Sequence, residues 1–482
     1  MNYRIVTGIL GRILAIEGFL LLAPLITAAL YGETVLPFVW TILLALAAAA
    51  AMLLAGRKAV GSIRPREGFV SVAMSWIVIS LFGALPFVFS GAIPNYISAL
   101  FEIISGFTTT GASILTEIES LPRGILFWRS FSHWIGGMGV LVFMMAILPT
   151  DDEHSMHLLR AEVPGPVKGK LQPRMRDTAR TLYIIYVVLT LVQVVCLLVG
   201  RMPLFDALTT AFGTAGTGGF AVKNASIGAY NSAYIDMVVA VFMVLFGVNF
   251  NLYYIVLMKR SLKGFKSQEL WWYLGIIVVA TLTIATNILH MVGGVWEALR
   301  QSFFQVTSII TTTGFSTADF DLWPSYSRIL LVLLMMVGAC AGSTGGGTKV
   351  SRLVIVTRAI WGEIRRQLFP RAIHRVTLDG ERLEDATIRN TMVYYLLYTL
   401  IVLGASLLLA IEGLDLETTV TSVIACLSNI GPGLSLVGPM GNFTVWGGAS
   451  KLLLCLCMLL GRLEIFPVIM LFAPGVWAGE KK

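Results

Sequence analysis

The chain has 482 residues and a formal net charge of +8, and 56% of its residues are hydrophobic whereas only 13% are charged. Its mean hydropathy is +0.81. Soluble globular domains carry charge on about a quarter of their residues, so this composition excludes an ordinary soluble protein and indicates an integral membrane protein. The basic residues flank apolar stretches, which disfavours a nucleic-acid-binding role.

Ten apolar stretches of about 20 residues are long enough to cross a hydrocarbon core of about 30 Å. Basic residues are concentrated in alternate connecting loops, and Arg57, Lys58, Arg64 and Arg66 lie in the first of these. By the positive-inside rule, these loops and both termini are predicted to be cytoplasmic. The predicted spans are 8–30, 36–56, 68–90, 127–149, 181–200, 235–258, 268–290, 329–360 (interrupted), 391–411 and 447–472.

After the first two spans, a unit of span, short helix, glycine-containing loop and span occurs four times. The short helices have about 12 residues each and are too short to cross a bilayer. Non-helical backbone at membrane depth is tolerated only beside protein or a water-filled cavity, so the four loops predict a shared aqueous axis. The carboxyl ends of the short helices, which are partially negative, would favour a cation there. The short helices are predicted near 96–107, 204–215, 297–310 and 416–427.

The loop after each short helix has a small polar residue two positions before a central glycine. Potassium-channel filters use four Thr-Val-Gly-Tyr-Gly loops whose backbone carbonyls replace the hydration shell of the ion, and four degenerate copies in one chain would complete such a ring. Close packing of helices at small residues is the alternative, but it does not explain the recurrence at one place in four units. The predicted potassium-binding residues are Thr109, Thr110, Gly111, Thr217, Gly218, Gly219, Thr312, Thr313, Gly314, Asn429, Ile430 and Gly431.

Five longer strings accompany the loops: FWR at 127–129, HWIGGMG at 133–139, EVPGP at 162–166, GACAGSTGGGTK at 338–349 and GRLEIF at 461–466. Together with the loops, they closely resemble the Trk/Ktr/HKT superfamily of potassium transporters, and in particular its bacterial TrkH branch. The similarity covers nearly the whole chain. The two additional amino-terminal spans fit this branch better than the shorter Ktr subunits.

This resemblance implies a homodimer with one potassium pore per subunit, located in the inner membrane of a bacterial cell and also permeable to rubidium. It further implies a cytoplasmic ring of TrkA-type RCK regulatory subunits, which would bind the nucleotide (ATP, ADP or NAD). For the chain itself we expect no covalent cofactor and only potassium ions in the loops. In this family, glycine at all four central positions goes with potassium permeation; the loops here are unlike one another, so we expect modest selectivity over sodium. The central positions are Gly111, Gly219, Gly314 and Gly431.

The glycine-rich string at 338–349 interrupts an apolar stretch. Each glycine costs a helix about 1 kcal/mol relative to alanine, so a continuous helix is not predicted there. A phosphate-binding loop is disfavoured, because the GxxxxGK[ST] pattern is not met and no strand precedes the string. The resemblance implies an intramembrane loop that gates the pore and is moved by the regulatory ring. The predicted gating residues are Gly342, Ser343, Thr344, Gly345, Gly346, Gly347, Lys349 and Arg462.

Arg462 lies in the middle of the last apolar stretch, where a charge is costly and usually faces a partner or water. We expect it to face the pore and to contact residues 342–348. The alternative is a salt bridge with Glu464 or with a carboxylate of another helix. Lys349 is placed similarly, and both roles are open to it.

The favoured function is a subunit that conducts potassium down its electrochemical gradient. A secondary transporter that couples potassium to protons or sodium is the alternative, but such proteins usually have inverted repeats and broken helices with carboxylates at the midplane. Here the repeat is four-fold, and only Glu464 is expected to lie deep in a span. A membrane scaffold or receptor would not need four such loops. The histidines and carboxylates show no catalytic or metal-ligand pattern, so we expect no enzymatic activity.

The sequence therefore predicts an all-α polytopic membrane protein. Two amino-terminal helices precede four pseudo-repeated units of helix, pore helix, filter loop and helix around one pore. The predicted divisions are 1–66 for the amino-terminal helices, 67–176 for the first unit with a cytoplasmic loop, 177–266 for the second, 267–386 for the third with the glycine-rich loop, and 387–482 for the fourth.

Overall fold

The computed structural model describes residues 1–57, 65–139, 175–369 and 376–473. These residues are mostly helical, and their strands are the antiparallel pair β1 (Thr377–Leu378) and β2 (Glu381–Arg382). The prediction of an all-α polytopic fold is confirmed. The string at 162–166, the end of the predicted span 127–149 and the residues 474–482 lie outside the described ranges.

An amino-terminal helical hairpin precedes the repeated units. Glycines let its two arms approach closely: a Cβ added to Gly56 would lie 2.8 Å from the Cα of Gly8, and one added to Gly11 would lie 3.0 Å from the carbonyl oxygen of Ala49. Close contact of this kind stabilises helix pairs in membranes, where burial from water contributes little. The helices are α1 (Tyr3–Leu20), α2 (Leu22–Leu30) and α3 (Leu36–Gly56).

Four units follow, each with a long helix, a short helix, a loop and a second helix. The first consists of α4 (Pro65–Gly83), α5 (Leu85–Phe89), α6 (Tyr96–Phe107) and α7 (Arg123–Gly137). The second consists of α8 (Met175–Val199), α9 (Leu204–Ala215), α10 (Ala233–Phe246) and α11 (Phe250–Tyr253, continued by a π-helical turn at Tyr254–Met258). The third consists of α12 (Gln268–Ile288), α13 (Val295–Ile310), α14 (Ser325–Val337) and α15 (Val350–Leu368). The fourth consists of α16 (Asp385–Leu409), α17 (Leu416–Leu427), α18 (Gly448–Arg462) and α19 (Phe466–Phe472).

Among the described residues, six helical segments are long and apolar enough to cross a membrane, or seven if a bent pair in the second unit counts as one span. The six comprise the two arms of the hairpin and the long helix of each unit, and each coincides with a predicted span. They are Tyr3–Leu30, Leu36–Gly56, Arg66–Phe89, Ala179–Val199, Gln268–Ile288 and Asp385–Glu412.

The predictions of continuous spans over 235–258 and 447–472 are wrong. In the second unit, the helices on either side of the break at 247–249 meet at an angle of 89°. In the fourth, α18 and α19 are separated by residues that include Glu464 and Ile465, with φ of 61° and 63°. Left-handed backbone at a residue other than glycine cannot continue a right-handed helix. The predicted interruption of 329–360 is observed between α14 and α15.

A large apolar cluster closes the circle of units. It joins α4, α6 and α7 of the first unit to α16, α17 and α18 of the fourth, although the two units are distant in sequence. A second cluster is built from the third unit and includes Ile424, Ile430 and Leu434 of the fourth. The outward sides of the long helices expose leucine, valine and tryptophan, as expected of surfaces that face lipid.

Candidate ion-binding site

Each short helix ends in the same hydrogen-bonded turn. After α6, the N–H of Thr109 donates to the carbonyl of Gly106 (3.1 Å), and the N–H of Thr110 donates to that of Ser105 (2.8 Å). This pair of bonds is a Schellman motif, which satisfies the last carbonyls of a helix. The same pair recurs at 217 and 218, at 312 and 313, and at 429 and 430. The carboxyl ends of the four short helices therefore lead into four loops that begin with the same hydrogen-bonded turn.

The left-handed position of this motif usually belongs to glycine, but here threonine occupies it three times. The φ angle is 56° at Thr109, 54° at Thr217, 59° at Thr312 and 56° at Asn429. Such a conformation costs about 1–3 kcal/mol at residues other than glycine and persists only where the surroundings impose it. Two residues later, each central glycine also has a positive φ, from 75° to 98°. Four unlike loops thus share one backbone conformation.

The central glycines join the loops into a closed ring, comprising residues 109–111, 217–219, 312–314 and 429–431. Each glycine contacts the carbonyl of the residue that precedes the central glycine of the next loop. The distances from an added Cβ to that carbonyl oxygen are 2.0 Å for Gly111 to Gly218, 2.0 Å for Gly219 to Thr313, 2.1 Å for Gly314 to Ile430 and 2.8 Å for Gly431 to Thr110. A side chain at any of these glycines would displace the neighbouring loop.

All four central glycines line one cavity of about 350 Å³ on one side of the ring. The lining continues with residues that follow the loops, including Ser113, Ala221 and Ser316. The structure thus brings the twelve residues predicted to bind potassium into one ring at the base of a single cavity.

Hydroxyl groups brace the first and third loops from behind. The hydroxyls of Thr108 and Thr110 are hydrogen-bonded at 2.8 Å, as are those of Thr311 and Thr313. In the fourth loop, the amide of Asn429 donates to Thr110 Oγ1 at 2.9 Å. Asparagine in place of threonine therefore links the fourth loop directly to the first.

A buried ion pair behind the first loop was missed by sequence reasoning. Arg129 Nε donates to Glu102 Oε1 at 2.7 Å, and the two side chains are 2% and 0% exposed. Glu102 Oε2 also accepts from the N–H of Ile114 (2.9 Å), and Arg129 Nη1 donates to the carbonyl of Ala221 (2.8 Å). The pair ties the segment after the first loop to the segment after the second. The sequence signal that could have revealed the pair is Glu102 itself, a single acidic residue in the otherwise apolar helix α6.

A second ion pair lies at the rim of the cavity. Lys223 Nζ lies 3.1 Å from Glu119 Oε2, and the N–H of Asn224 donates to the same carboxylate. The hydrogen bond from Lys223, followed by that from Asn224, lowers the pKa of Glu119 below its usual value. The carboxylate is therefore charged at neutral pH, and it holds the segments after the first two loops together.

The glycine-rich segment, residues 338–349, contacts the ring at the helix ends, away from the cavity. The N–H of Gly346 donates to Thr312 Oγ1 (2.6 Å), and the N–H of Gly347 donates to the carbonyl of Ser428 (2.9 Å). Thr344 Oγ1 lies 3.3 Å from the carbonyl oxygen of Phe246. The segment therefore crosses beneath the second, third and fourth units.

Arg462 lies beneath the first unit, the one part of the ring that the glycine-rich segment does not cross. Its guanidinium donates to the carbonyls of Gly136, Gly137 and Thr344, and to Thr109 Oγ1. The side chain is 8% exposed. The expected contact with residues 342–348 is thus present at Thr344.

Two further charged residues support the segment. Glu464, the alternative partner of Arg462, pairs with Arg352. Lys349 is buried and its Nζ donates to the carbonyl of Gly345, so it braces the segment from within.

One carboxylate, which the sequence did not point to, binds the glycine-rich segment near its start and the backbone just beyond its end. Glu269 Oε1 accepts from the N–H of Ala341 at 2.7 Å and from the N–H of Ser351 at 3.1 Å. Glu269 is 7% exposed and stands at the start of α12. The segment therefore has an anchor in the long helix of its own unit.

The expectation that only Glu464 lies deep in a span is wrong. Glu17 in α1 is 3% exposed, and its two carboxyl oxygens have no hydrogen-bond partner among the described residues. A Cβ added to Gly83 of α4 would lie 3.0 Å from Glu17 Oε1. A single acid in a strongly apolar stretch changes the average hydropathy little. The hydropathy pattern therefore did not reveal Glu17.

Comparison with known proteins identifies the family. Residues 37–477 match the TrkH model, described as a cation transport protein. The chain is 36% identical over 486 residues to the Trk system potassium uptake protein TrkH of Salmonella typhimurium, with 99% of this chain and 100% of that protein covered. The chain belongs to the TrkH family. The TrkH of Halomonas elongata is 35% identical over 483 residues, with 99% of this chain and 100% of that protein covered.

A solved member of the TrkH family has the same fold. The crystal structure of the potassium transporter TrkH from Vibrio parahaemolyticus matches with a TM-score of 0.89 at 32% identity, covering 99% of this chain and 100% of that chain. The predicted resemblance to the TrkH branch is confirmed. The chain is therefore an integral membrane protein of a cation transport family, a transporter rather than an enzyme.

Proposed function

We propose that the chain takes up potassium, and also rubidium, across the bacterial inner membrane through the four-loop ring. The relatives are named as potassium uptake proteins. The observation that carries the proposal is the closure of the ring, in which each central glycine contacts a carbonyl of the next loop. Such contacts hold four backbone segments around one axis, as a dehydrated cation requires.

Backbone carbonyls of the ring replace the hydration shell of the ion, as in potassium channels. The four short helices end at the ring, and each contributes about half a negative charge from its carboxyl end. Loops of unlike sequence make a less regular cage than four identical ones. We therefore infer modest selectivity for potassium over sodium.

The glycine-rich segment and Arg462 act as a gate on the side opposite the cavity. A guanidinium beneath the ring opposes a passing cation, and the segment narrows the same path. A cytoplasmic ring of TrkA-type RCK subunits, which carries the nucleotide (ATP, ADP or NAD), moves the segment. The chain works as a homodimer with one pore per subunit and both termini in the cytoplasm.

One observation favours a second candidate, a transporter that couples potassium to protons. Ionisable residues inside a membrane often belong to proton relays, and the Glu17 carboxyl in α1 has no partner among the described residues. The apolar side chains of Phe107 and Ile103 of α6 lie beside the carboxyl at Gly83, all within 3.0 Å of one added Cβ, so the acid stands in apolar surroundings. We therefore keep conduction as the first proposal.

Flux into liposomes tests the two candidates against each other. The purified chain is reconstituted with potassium inside, and rubidium and sodium influx are measured at zero proton gradient, with and without the regulatory ring. Conduction predicts rubidium influx larger than sodium influx, and an increase when ring and nucleotide are added. Rubidium influx that requires a proton gradient would instead establish the coupled transporter.

A matched pair of glycine variants ties that flux to the ring. Gly314→Ala places a methyl group against Ile430, whereas Gly404→Ala in α16 meets nothing within 4 Å. The first variant is expected to lose rubidium flux and the second to keep it. Equal flux in both variants would remove the third loop from the pathway.

A further inference from the structure

The second loop lacks the hydroxyl brace of the first and third loops. The positions that hold the paired threonines in those loops are Gly216 and Gly218 here. The loop nonetheless has the shared conformation, with φ of 54° at Thr217 and 75° at Gly219. The Thr217 hydroxyl donates to the carbonyl of the adjacent Gly216 at 2.6 Å, and the space beside Gly216 and Gly218 is left for a group from outside the loop.

His133, on α7, occupies the positions of both missing side chains: its backbone carbonyl stands where a side chain at Gly216 would lie, and its imidazole where one at Gly218 would lie. A Cβ added to Gly218 would lie 2.0 Å from Nδ1 of His133 and 2.4 Å from its Cε1 and Cγ atoms. The ring of His133 also packs on Phe220, which follows the central glycine of the loop, with centroids 4.1 Å apart. His133 is fully buried. The side chain thus touches the second loop both before and after its central glycine.

The contact with His133 explains why residue 218 is glycine. Gly219 has a positive φ, whereas the φ of Gly218 lies outside the left-handed region, so its backbone does not demand glycine. The three atoms nearest to an added Cβ all belong to the His133 side chain. The departure of this loop from the Thr-x-Gly pattern therefore follows from a residue more than 80 positions earlier in the chain.

Through Gly218, His133 also affects the contact between the first and second loops. The carbonyl of Gly218 is the atom that a Cβ on Gly111 would approach to 2.0 Å. A shift of Gly218 towards or away from α7 therefore changes the spacing between two ring loops. The imidazole faces the backbone of Gly106 without a hydrogen bond of normal geometry within the described residues, so it acts on Gly218 chiefly through its shape.

We propose that His133 is the positioning residue of the second loop and that it sets the ion selectivity of the ring through Gly218. This inference rests on the proposed conduction of potassium through the ring. It assigns a role to a side chain that, on this reading, does not itself contact the ion. It also predicts that His133 and Gly218 are replaceable only as a pair.

A double-mutant cycle tests the pairing, with rubidium and sodium influx into liposomes measured per folded protein. Gly218→Ala overlaps the imidazole and is expected to lower the rubidium-to-sodium ratio about tenfold, the size typical of coupled neighbours. His133→Ala leaves the loop unsupported and lowers the ratio by a smaller factor. The double variant places the alanine methyl in the vacated space and is expected to recover most of the ratio lost in Gly218→Ala.

Two further variants separate positioning from general damage. His133→Gln keeps a side chain of similar length and is expected to retain the ratio. Gly219→Ala clashes with the carbonyl of Thr313, so adding His133→Ala should not rescue it. Rescue of Gly219→Ala by His133→Ala would mean that removal of the imidazole relaxes the whole ring, which would overturn the inference.

The remaining outcomes also decide the matter. A double variant as impaired as Gly218→Ala alone, or an unchanged ratio in His133→Ala, overturns the role of His133. If Gly218→Ala does not fold, recovery of folded protein in the double variant supports the pairing, and continued absence contradicts it. Failure of the wild-type chain to conduct rubidium would instead refute the proposed function, which keeps the two failures distinct.

Discussion

The four-loop ring and the glycine-rich segment beneath it are both rich in glycine, yet different contacts hold them. In the ring, central glycines meet carbonyls of neighbouring loops at distances that exclude a side chain. The segment also has backbone contacts, such as the hydrogen bond from Gly347 to Ser428. Its other hydrogen bonds include those made by the side chains of Thr312, Arg462 and Glu269. Side-chain hydrogen bonds can be exchanged one at a time, whereas the backbone contacts of the ring can change only if the loops separate.

The difference suggests a division of labour between the two regions. A rigid ring suits a site that must hold carbonyls at fixed spacing, and a segment held by exchangeable bonds suits a gate. The ring also stores strain at its left-handed threonines, which its surroundings must balance. Four substitutions test this difference between ring and segment. They affect, in turn, the buried support of the ring, the ring itself, the charge beneath it and a residue outside both regions.

The largest effect is expected when the buried support of the ring is broken. Glu102→Ala leaves the Arg129 guanidinium buried without its carboxylate, which typically costs about 3–5 kcal/mol. Thermal unfolding in detergent should show a marked loss of stability, and rubidium flux should fall with it. Glu119→Ala, at the exposed rim pair, is the control and should change stability by less than about 1 kcal/mol. Equal stability of the two variants would contradict the account of the support.

A substitution in the ring itself should change selectivity as well as rate. Gly314 has a φ of 85°, and a side chain there meets Ile430 and Pro432. Gly314→Ser therefore adds backbone strain of about 1–3 kcal/mol at residue 314 and also displaces the carbonyl of Ile430. We expect rubidium influx to fall about tenfold or more, and sodium influx to rise relative to it. An unchanged ratio of the two fluxes would mean that the third loop does not contribute to selection.

Removal of the charge beneath the ring should raise rubidium flux, whereas the two preceding substitutions lower it. A guanidinium beneath the ring repels a passing cation, and two like unit charges about 7 Å apart repel each other by about 2 kcal/mol at an effective dielectric constant of about 20. Arg462→Ala should therefore raise rubidium flux without the regulatory ring, up to about 30-fold. Arg462→Lys, which keeps the charge, is the control and should stay near the wild-type flux. Lower flux in folded Arg462→Ala protein would make Arg462 a structural residue.

The smallest effect is expected at Glu17, outside both regions. A buried carboxyl without a partner costs about 1–3 kcal/mol, so Glu17→Leu should raise stability by up to that amount. Rubidium flux at zero proton gradient should be unchanged, while Glu17→Gln should show little gain in stability. Loss of transport in both variants would favour the proton-coupled alternative.

Local patterns predicted the short helices well. The predicted bounds 96–107, 204–215 and 416–427 agree with the structure, and the third helix begins two residues before its prediction. The reason is local: Asn95 and Asp415 cap two of these helices through side-chain bonds, and all four end in the same turn. Start and stop signals of this kind are carried by neighbouring residues.

The breaks in the second helices were predicted less well. The interruption by the glycine-rich string was evident, because several glycines in succession disfavour a helix. The break at 463–465 was hidden, because the positive φ angles there fall on Glu464 and Ile465. Contacts elsewhere stabilise this backbone, among them the ion pair between Glu464 and Arg352.

From the sequence alone followed the membrane class, the four-fold repeat, the positions of the loops and the residues that the loops bring together. These depend on apolar length and on local conformational preferences, which short stretches of chain carry by themselves. Only the tertiary structure decided how the loops close into a ring and which buried groups support it. Pairs such as Glu102 with Arg129, or Gly218 with His133, depend on distances between helices, and no local pattern encodes those distances.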